Sequence, residues 1–152
     1  MLMPTKILVP TDFSGYSDKA LQQALDIAVE YNAKVYVLHV VHERIQRVLT
    51  DGYSDITITP KEIQKYEKTL VKTARAEVKK QIGKFPQSKE VEVISEVVSG
   101  VPAEEILRVQ EEKGIDLVVI ASLGRTGIAR YLIGGVARNV LKGAKCPVLL
   151  TK

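Results

Sequence analysis

Five short apolar runs, separated by segments of helical periodicity, constrain this chain more than any other feature. The runs are KILVP (Lys6 to Pro10), KVYVLHVV (Lys34 to Val41), EVEVISEVV (Glu90 to Val98), IDLVVIA (Ile115 to Ala121) and CPVLLTK (Cys146 to Lys152). Continuous β-branched runs of this length read as strands buried on both faces rather than as half-exposed alternating strands. The intervening segments carry apolar residues at helical spacing, as in Ala20, Leu21, Ala24, Leu25 and Ala28, with Ser17 placed to cap that helix. TPKE (Thr59 to Glu62) is a capping box with proline at the first helical position. It opens a long helix with the apolar face Ile63, Tyr66, Leu70, Ala74, Val78 and Ile82, ending near Gly83. A third helix closes at Gly114, and a fourth spans about Gly134 to Lys142. Strands alternating with helices mean an α/β fold: an open five-stranded parallel sheet, Rossmann-like, with helices on both faces. The IDLVVIA run is the most apolar and is expected inside the sheet. A less regular stretch, His42 to Thr59, is expected to form a loop or lid.

The 152 residues carry no linker, repeat or low-complexity tract, so a single domain over 1–152 is expected. With no Trp and few aromatics, its core must rest on Val, Ile, Leu and Ala. Cys146, the single cysteine, excludes an internal disulfide and fits a reducing compartment; its expected role is a small buried residue. No apolar run reaches membrane-spanning length and the N-terminus has no signal-peptide pattern, so a cytoplasmic protein is expected. The net charge of +4 mildly favours anionic partners. The lysines interleave with glutamates along helices, and no aromatic-basic stripe accompanies them, which argues against nucleic acid.

In an open doubly wound sheet, ligands sit beyond the carboxyl ends of the strands. The corresponding segments here are PTDFS, HVVHE, VSGVP and ASLGRTG, the first of which holds an acid, Asp12. ASLGRTGIARYLIGGVARNV (Ala121 to Val140) leads glycines into a helix. Gly134 and Gly135 stand where a helix N-terminus offers unpaired N–H groups to an anion, and Gly124, Gly127, Arg125 and Arg130 could close over it. The same glycines could equally serve turn geometry alone. There is no G-x-x-x-x-G-K-[ST] and no G-x-G-x-x-G after the first strand, which excludes a P-loop and disfavours a dinucleotide site. SGYSDK (Ser14 to Lys19) differs from an adenylating pyrophosphatase loop by a bulky Tyr16, and the acids of a phospho-acceptor receiver are missing. His39 reads as a packed strand residue and His42 as exposed. No nucleophile-base set and no metal-ligand cluster stands out, so no catalytic residue is assigned.

KILVPTDFS, LHVV, GVPAEEIL and CPVLL together resemble the universal stress protein family over nearly the whole chain. That resemblance implies an adenine-nucleotide-hydrolase-like fold and, in the nucleotide-binding branch, the pattern G-x2-G-x9-G-[ST]. Laid on this chain, the pattern falls on Ala121, Gly124, Gly134 and Gly135, so two positions match and two depart. It implies nucleoside contacts at Pro10, Thr11 and Asp12, an adenine contact at the Val40 backbone, and phosphate contacts among Ala121, Ser122, Gly124, Arg125, Gly134, Gly135 and Val136. Ser122 stands as a substitute hydroxyl for the one missing at Gly135. The implied ligand is ATP or another adenine nucleotide, with any Mg²⁺ arriving on the phosphates. The implied activity is regulation or sensing, with little or no hydrolysis. The alternative is a dimeric interaction module that has lost nucleotide binding. A homodimer through the final strand, Pro147 to Leu150, is also implied, which would cover an exposed edge.

Overall fold

The computed structural model describes residues 3–42, 59–124 and 133–152. The five runs become β1 (Lys6–Pro10), β2 (Lys34–His42), β3 (Val93–Gly100), β4 (Leu117–Ala121) and β5 (Val148–Thr151). The helices are α1 (Gly15–Tyr31), α2 (Pro60–Gly83), α3 (Pro102–Glu112) and α4 (Gly135–Gly143). All pairings are parallel and the order is β3-β2-β1-β4-β5. The chain starts at the centre, builds outward to β3, then crosses to the other side of β1. The order therefore reverses between β1 and β4.

Alternate strand residues point to opposite faces, and both faces are covered. Ile7, Val9, Val35, Val37, Leu117 and Val119 pack with α1 and with Ala74 and Val78 of α2. Leu8, Tyr36, Leu38, Val118 and Ile120 pack with Ile106 and Val109 of α3 and with Ala137 and Val140 of α4. Ile7, Leu8 and Val9 have no exposed surface; burying each contributes about 1.5–3 kcal/mol. β4 lies between β1 and β5 as its apolar run predicts, and β5 forms one sheet edge.

Local differences from the sequence reading have simple causes. α1 is capped by Ser14, not Ser17: the Ser17 N–H donates to Ser14 Oγ at 3.2 Å, and the helix begins three residues early. β3 begins at Val93, after a 3-10 turn at Pro86–Lys89. The α2 capping box forms as its sequence predicts, with Thr59 N–H donating to Glu62 Oε2 at 2.8 Å. Along α2 the buried residues are Ala74, Val78 and Gln81, while Tyr66 is 46% exposed, so the inward stripe occupies only the second half of the helix. Cys146 is half-buried, and burial pushes its thiol pKa up. His42 is exposed. The expected lid lies, between its end residues, outside the described residues. Among the described residues, no helix is long and apolar enough to cross a membrane.

Candidate functional site

A cleft of about 300 Å³ opens where the strand order reverses, beyond the carboxyl ends of β1 and β4. This is the position at which doubly wound sheets hold ligands, and the volume is at the low end for a ligand site. Pro10, Thr11 and Asp12 line one wall, Leu38, His39 and Val40 a second, and Ser122, Gly124 and Gly134 to Val136 a third. Ten of the eleven site residues expected from the sequence thus share one cavity with Ala121 among them; Arg125, like Gly127 and Arg130, lies outside the described residues.

The first wall is a tight, hydrogen-bonded turn. The Thr11 N–H donates to the Leu38 carbonyl at 2.8 Å, extending the β1–β2 ladder by one rung. The Phe13 N–H donates to Thr11 Oγ1 at 3.1 Å and the Ser14 N–H to Asp12 Oδ1 at 3.0 Å. These side-chain bonds to nearby backbone stabilise a turn that a regular ladder cannot supply. Phe13 adopts φ 65°, a left-handed conformation rare for a bulky residue. Its ring stacks on His39 with centroids 4.2 Å apart. His39 Nδ1 lies 2.8 Å from the Thr11 carbonyl; a carbonyl only accepts, so Nδ1 carries the proton in that bond. His39 is therefore packed, as its strand setting predicts, and also lines the cleft.

Strand geometry exposes backbone on the second wall. The Lys34 N–H reaches Thr5 of the β1 side and the Val35 N–H reaches Glu92 beside β3. Even-numbered residues of β2 therefore turn their backbone groups toward β1. Val40 belongs to this set, but β1 pairing stops at Pro10 opposite Leu38. The Val40 N–H and C=O accordingly face the cleft side, an edge suited to a planar heterocycle with adjacent donor and acceptor.

The third wall explains the glycines. A Cβ on Gly124 would lie 2.9 Å from Asp12 Oδ2, and one on Gly134 would lie 3.3 Å from the Ser122 carbonyl. A Cβ on Gly135 would meet nothing within 4 Å. The two glycines that match the pattern are thus the two where a side chain would crowd the site's own atoms. Gly135 is free to vary. Ala121 has no positive φ, so alanine there is unstrained. Gly134 caps α4 without any side-chain cap, and its own N–H donates to the Ser122 carbonyl at 2.7 Å. The anion-facing donors at this end are consequently the amides of Gly135 and Val136, which follow the cap, rather than that of Gly134. Hydrogen bonds from such amides to an anion are charge-assisted and strong.

Asp12 is the one carboxylate lining the cleft among the described residues, and these residues hold no cluster of three metal-ligating side chains. A divalent cation would fit here as a companion of a phosphate chain rather than in a protein cage. Sequence reasoning missed Gln81, which reaches this turn from α2. Its only signal was a glutamine on the buried stripe of Ala74 and Val78.

Comparison with known proteins identifies the family and fold. The family model described as universal stress protein family matches residues 3–152. A universal stress protein of Methanocaldococcus jannaschii, MJ0531, is 35% identical over 97% of this chain and 81% of its own length. The solved structure of a second protein of that organism, MJ0577, superposes with a TM-score of 0.83 at 28% identity, over 99% of this chain and 97% of that one. A universal stress protein of Archaeoglobus fulgidus, solved in complex with dAMP, has a TM-score of 0.57 at 21% identity, covering 99% of this chain and all of that one (100%).

Proposed function

The chain belongs to the universal stress protein family, and from that premise we propose that its cleft binds ATP or a related adenine nucleotide, and that the protein acts as a nucleotide-dependent regulator or sensor in the cytoplasm. The observation that carries this reading is the convergence, at the β1–β4 reversal, of three complementary features. Val40 offers edge backbone to a base, Asp12 offers a carboxylate to a ribose, and the first turn of α4 offers amides to phosphate. The dAMP complex of the A. fulgidus relative supports the same ligand class. Phosphate is held chiefly by backbone, and any Mg²⁺ arrives with it. The proposed role is binding with little or no hydrolysis, and the Asp12 carboxylate, held by the Ser14 amide, is read as a ligand contact.

Calorimetric titration of the protein with ATP and Mg²⁺ tests this. Saturable heat at micromolar to millimolar nucleotide is expected, and no heat at millimolar nucleotide would reject it. A second reading, an interaction module without nucleotide, is favoured by one observation: Gly135 stands where a phosphate-binding hydroxyl is expected. Under it, Gly135→Ser leaves a null titration null. Either reading includes a homodimer through Pro147 to Leu150, because β5 pairs only with β4 among the described residues and its Val148, Leu149 and Leu150 are only half-buried. Sedimentation of the wild type and of Leu149→Asp tests the pairing; a monomeric wild type would exclude it.

A further inference from the structure

The turn that carries Asp12 is gripped from outside by a single buried amide. Gln81 of α2 is only 3% exposed, as are Thr11 at 6% and Ser17 at 2%. Gln81 Oε1 accepts from Thr11 Oγ1 at 2.7 Å. Its Nε2 donates to Ser17 Oγ at 3.2 Å and to Asp18 Oδ1 at 2.8 Å. The carboxamide therefore uses its oxygen and both its hydrogens, and a satisfied buried amide is a specific clamp. Thr11 and Ser17 flank the turn, so the clamp holds both of its ends. Ser17 Oγ in turn donates to the Ser14 carbonyl at 2.8 Å, and Thr11 Oγ1 accepts the Phe13 amide. Lys84, just past α2, adds a second tie to Asp18 Oδ2 at 3.3 Å. Between these anchors Phe13 is kept at φ 65°, a backbone state that persists only where its surroundings over-determine it.

We propose that Gln81 is a positioning residue for the cleft: by clamping Thr11 and Ser17 it fixes the turn that aims Asp12, and so sets affinity for the nucleoside half of the ligand. This rests on the nucleotide reading of the cleft. Gln81 does not line the cavity, but two of its partners, Thr11 and Ser17, do. Its effect is therefore confined to the Asp12 side, while the α4 amides are untouched.

The test uses the full chain and two probes, adenosine and inorganic tripolyphosphate, with ATP as reference. Gln81→Met keeps the length of the side chain and removes the amide. Adenosine and ATP affinities should fall roughly tenfold, the scale of one lost hydrogen-bonded restraint, while tripolyphosphate affinity stays at the wild-type value. Thr11→Val removes the Gln81 bond together with the acceptor of the Phe13 amide, so it should lower adenosine affinity at least as far. Thermal unfolding of each variant establishes that it is folded; if Gln81→Met does not fold, Gln81→Asn, which draws the amide back from Thr11, carries the same comparison. Unchanged adenosine affinity in a folded variant overturns the proposal, and so does an equal loss for both probes, which a general loosening of the fold would produce. A wild type that binds neither adenosine nor ATP overturns the nucleotide reading itself, a separate outcome from a wild type that binds and a Gln81 variant that binds equally well.

Discussion

Where β1 and β4 begin, Asp116 accepts the Thr5 hydroxyl at 2.6 Å and the N–H groups of Thr5 and Lys6 at 3.0 to 3.1 Å. Its own N–H donates to the Lys6 carbonyl at 3.0 Å, and Lys6 Nζ donates to the Lys113 carbonyl at 3.1 Å. Where the same two strands end, they diverge around a cleft edged by glycines, a left-handed Phe13 and a helix with no side-chain cap. One end spends its polar groups on itself. The other keeps backbone groups and a carboxylate turned toward a space, and tolerates local strain to do so. The helix starts differ among themselves: α1 and α2 are capped by their own Ser14 and Thr59 side chains, whereas α3 and α4 have no side-chain cap. If the cleft binds nucleotide as proposed, stability and binding fall to opposite ends of the same strands and are separable by mutation.

The largest expected effect comes from filling the open end. Gly124→Val places a side chain against Asp12 Oδ2 and into the cleft. ATP affinity should fall more than about a hundredfold by calorimetry, with the unfolding free energy within about 1 kcal/mol of wild type, since the residue lies in a loop. Retained affinity would detach Gly124 from the site. Gly135→Ser works in the opposite direction. The position has room for a side chain, and a new hydroxyl bonded to a charged phosphate contributes about 1.5–3 kcal/mol, so ATP should bind about ten to a hundred times more tightly.

At the closed end, Asp116→Ala should lower the unfolding free energy by about 1–2 kcal/mol in denaturant titration, the scale of the lost network, and leave ATP affinity unchanged. A binding defect there would break the separation of the two ends. The smallest effect is its pH dependence. Burial alone would raise the Asp116 pKa, but the Thr5 hydroxyl and the Thr5 and Lys6 amides outweigh it and hold the carboxyl below its ordinary value of 3.8. A carboxyl whose folded pKa is depressed stabilises the fold above its unfolded pKa and loses that contribution as pH falls through the folded one. The Asp116→Ala penalty should therefore be full at neutral pH and shrink as acid is added below about pH 4, as followed by unfolding at stepped pH.

Much of this was legible from the chain because it is local or periodic. The apolar runs announce buried parallel strands, IDLVVIA fits its interior place, and the strand-end rule points at Asp12 before any relative is considered. The boundaries were less legible where chemistry is degenerate: Ser14 and Ser17 are both competent caps, and only the folded turn selects Ser14. Features set by distant partners were not legible at all. Nothing near Gly134 in sequence says that the Ser122 carbonyl consumes its amide, and nothing near Gln81 says that it meets Thr11, seventy positions away. The effect of the departure at Ala121 depends on its φ, which only the fold shows: the backbone there has no positive φ and needs no glycine.

The most direct measurement is amide chemical-shift mapping by NMR while ATP and Mg²⁺ are titrated into the protein. The account predicts saturable shifts at Val40, Gly124, Gly135 and Val136, with the amides of Thr5, Lys6 and Asp116 unmoved. Shifts concentrated at the Asp116 end, or none anywhere at millimolar ATP, would contradict it.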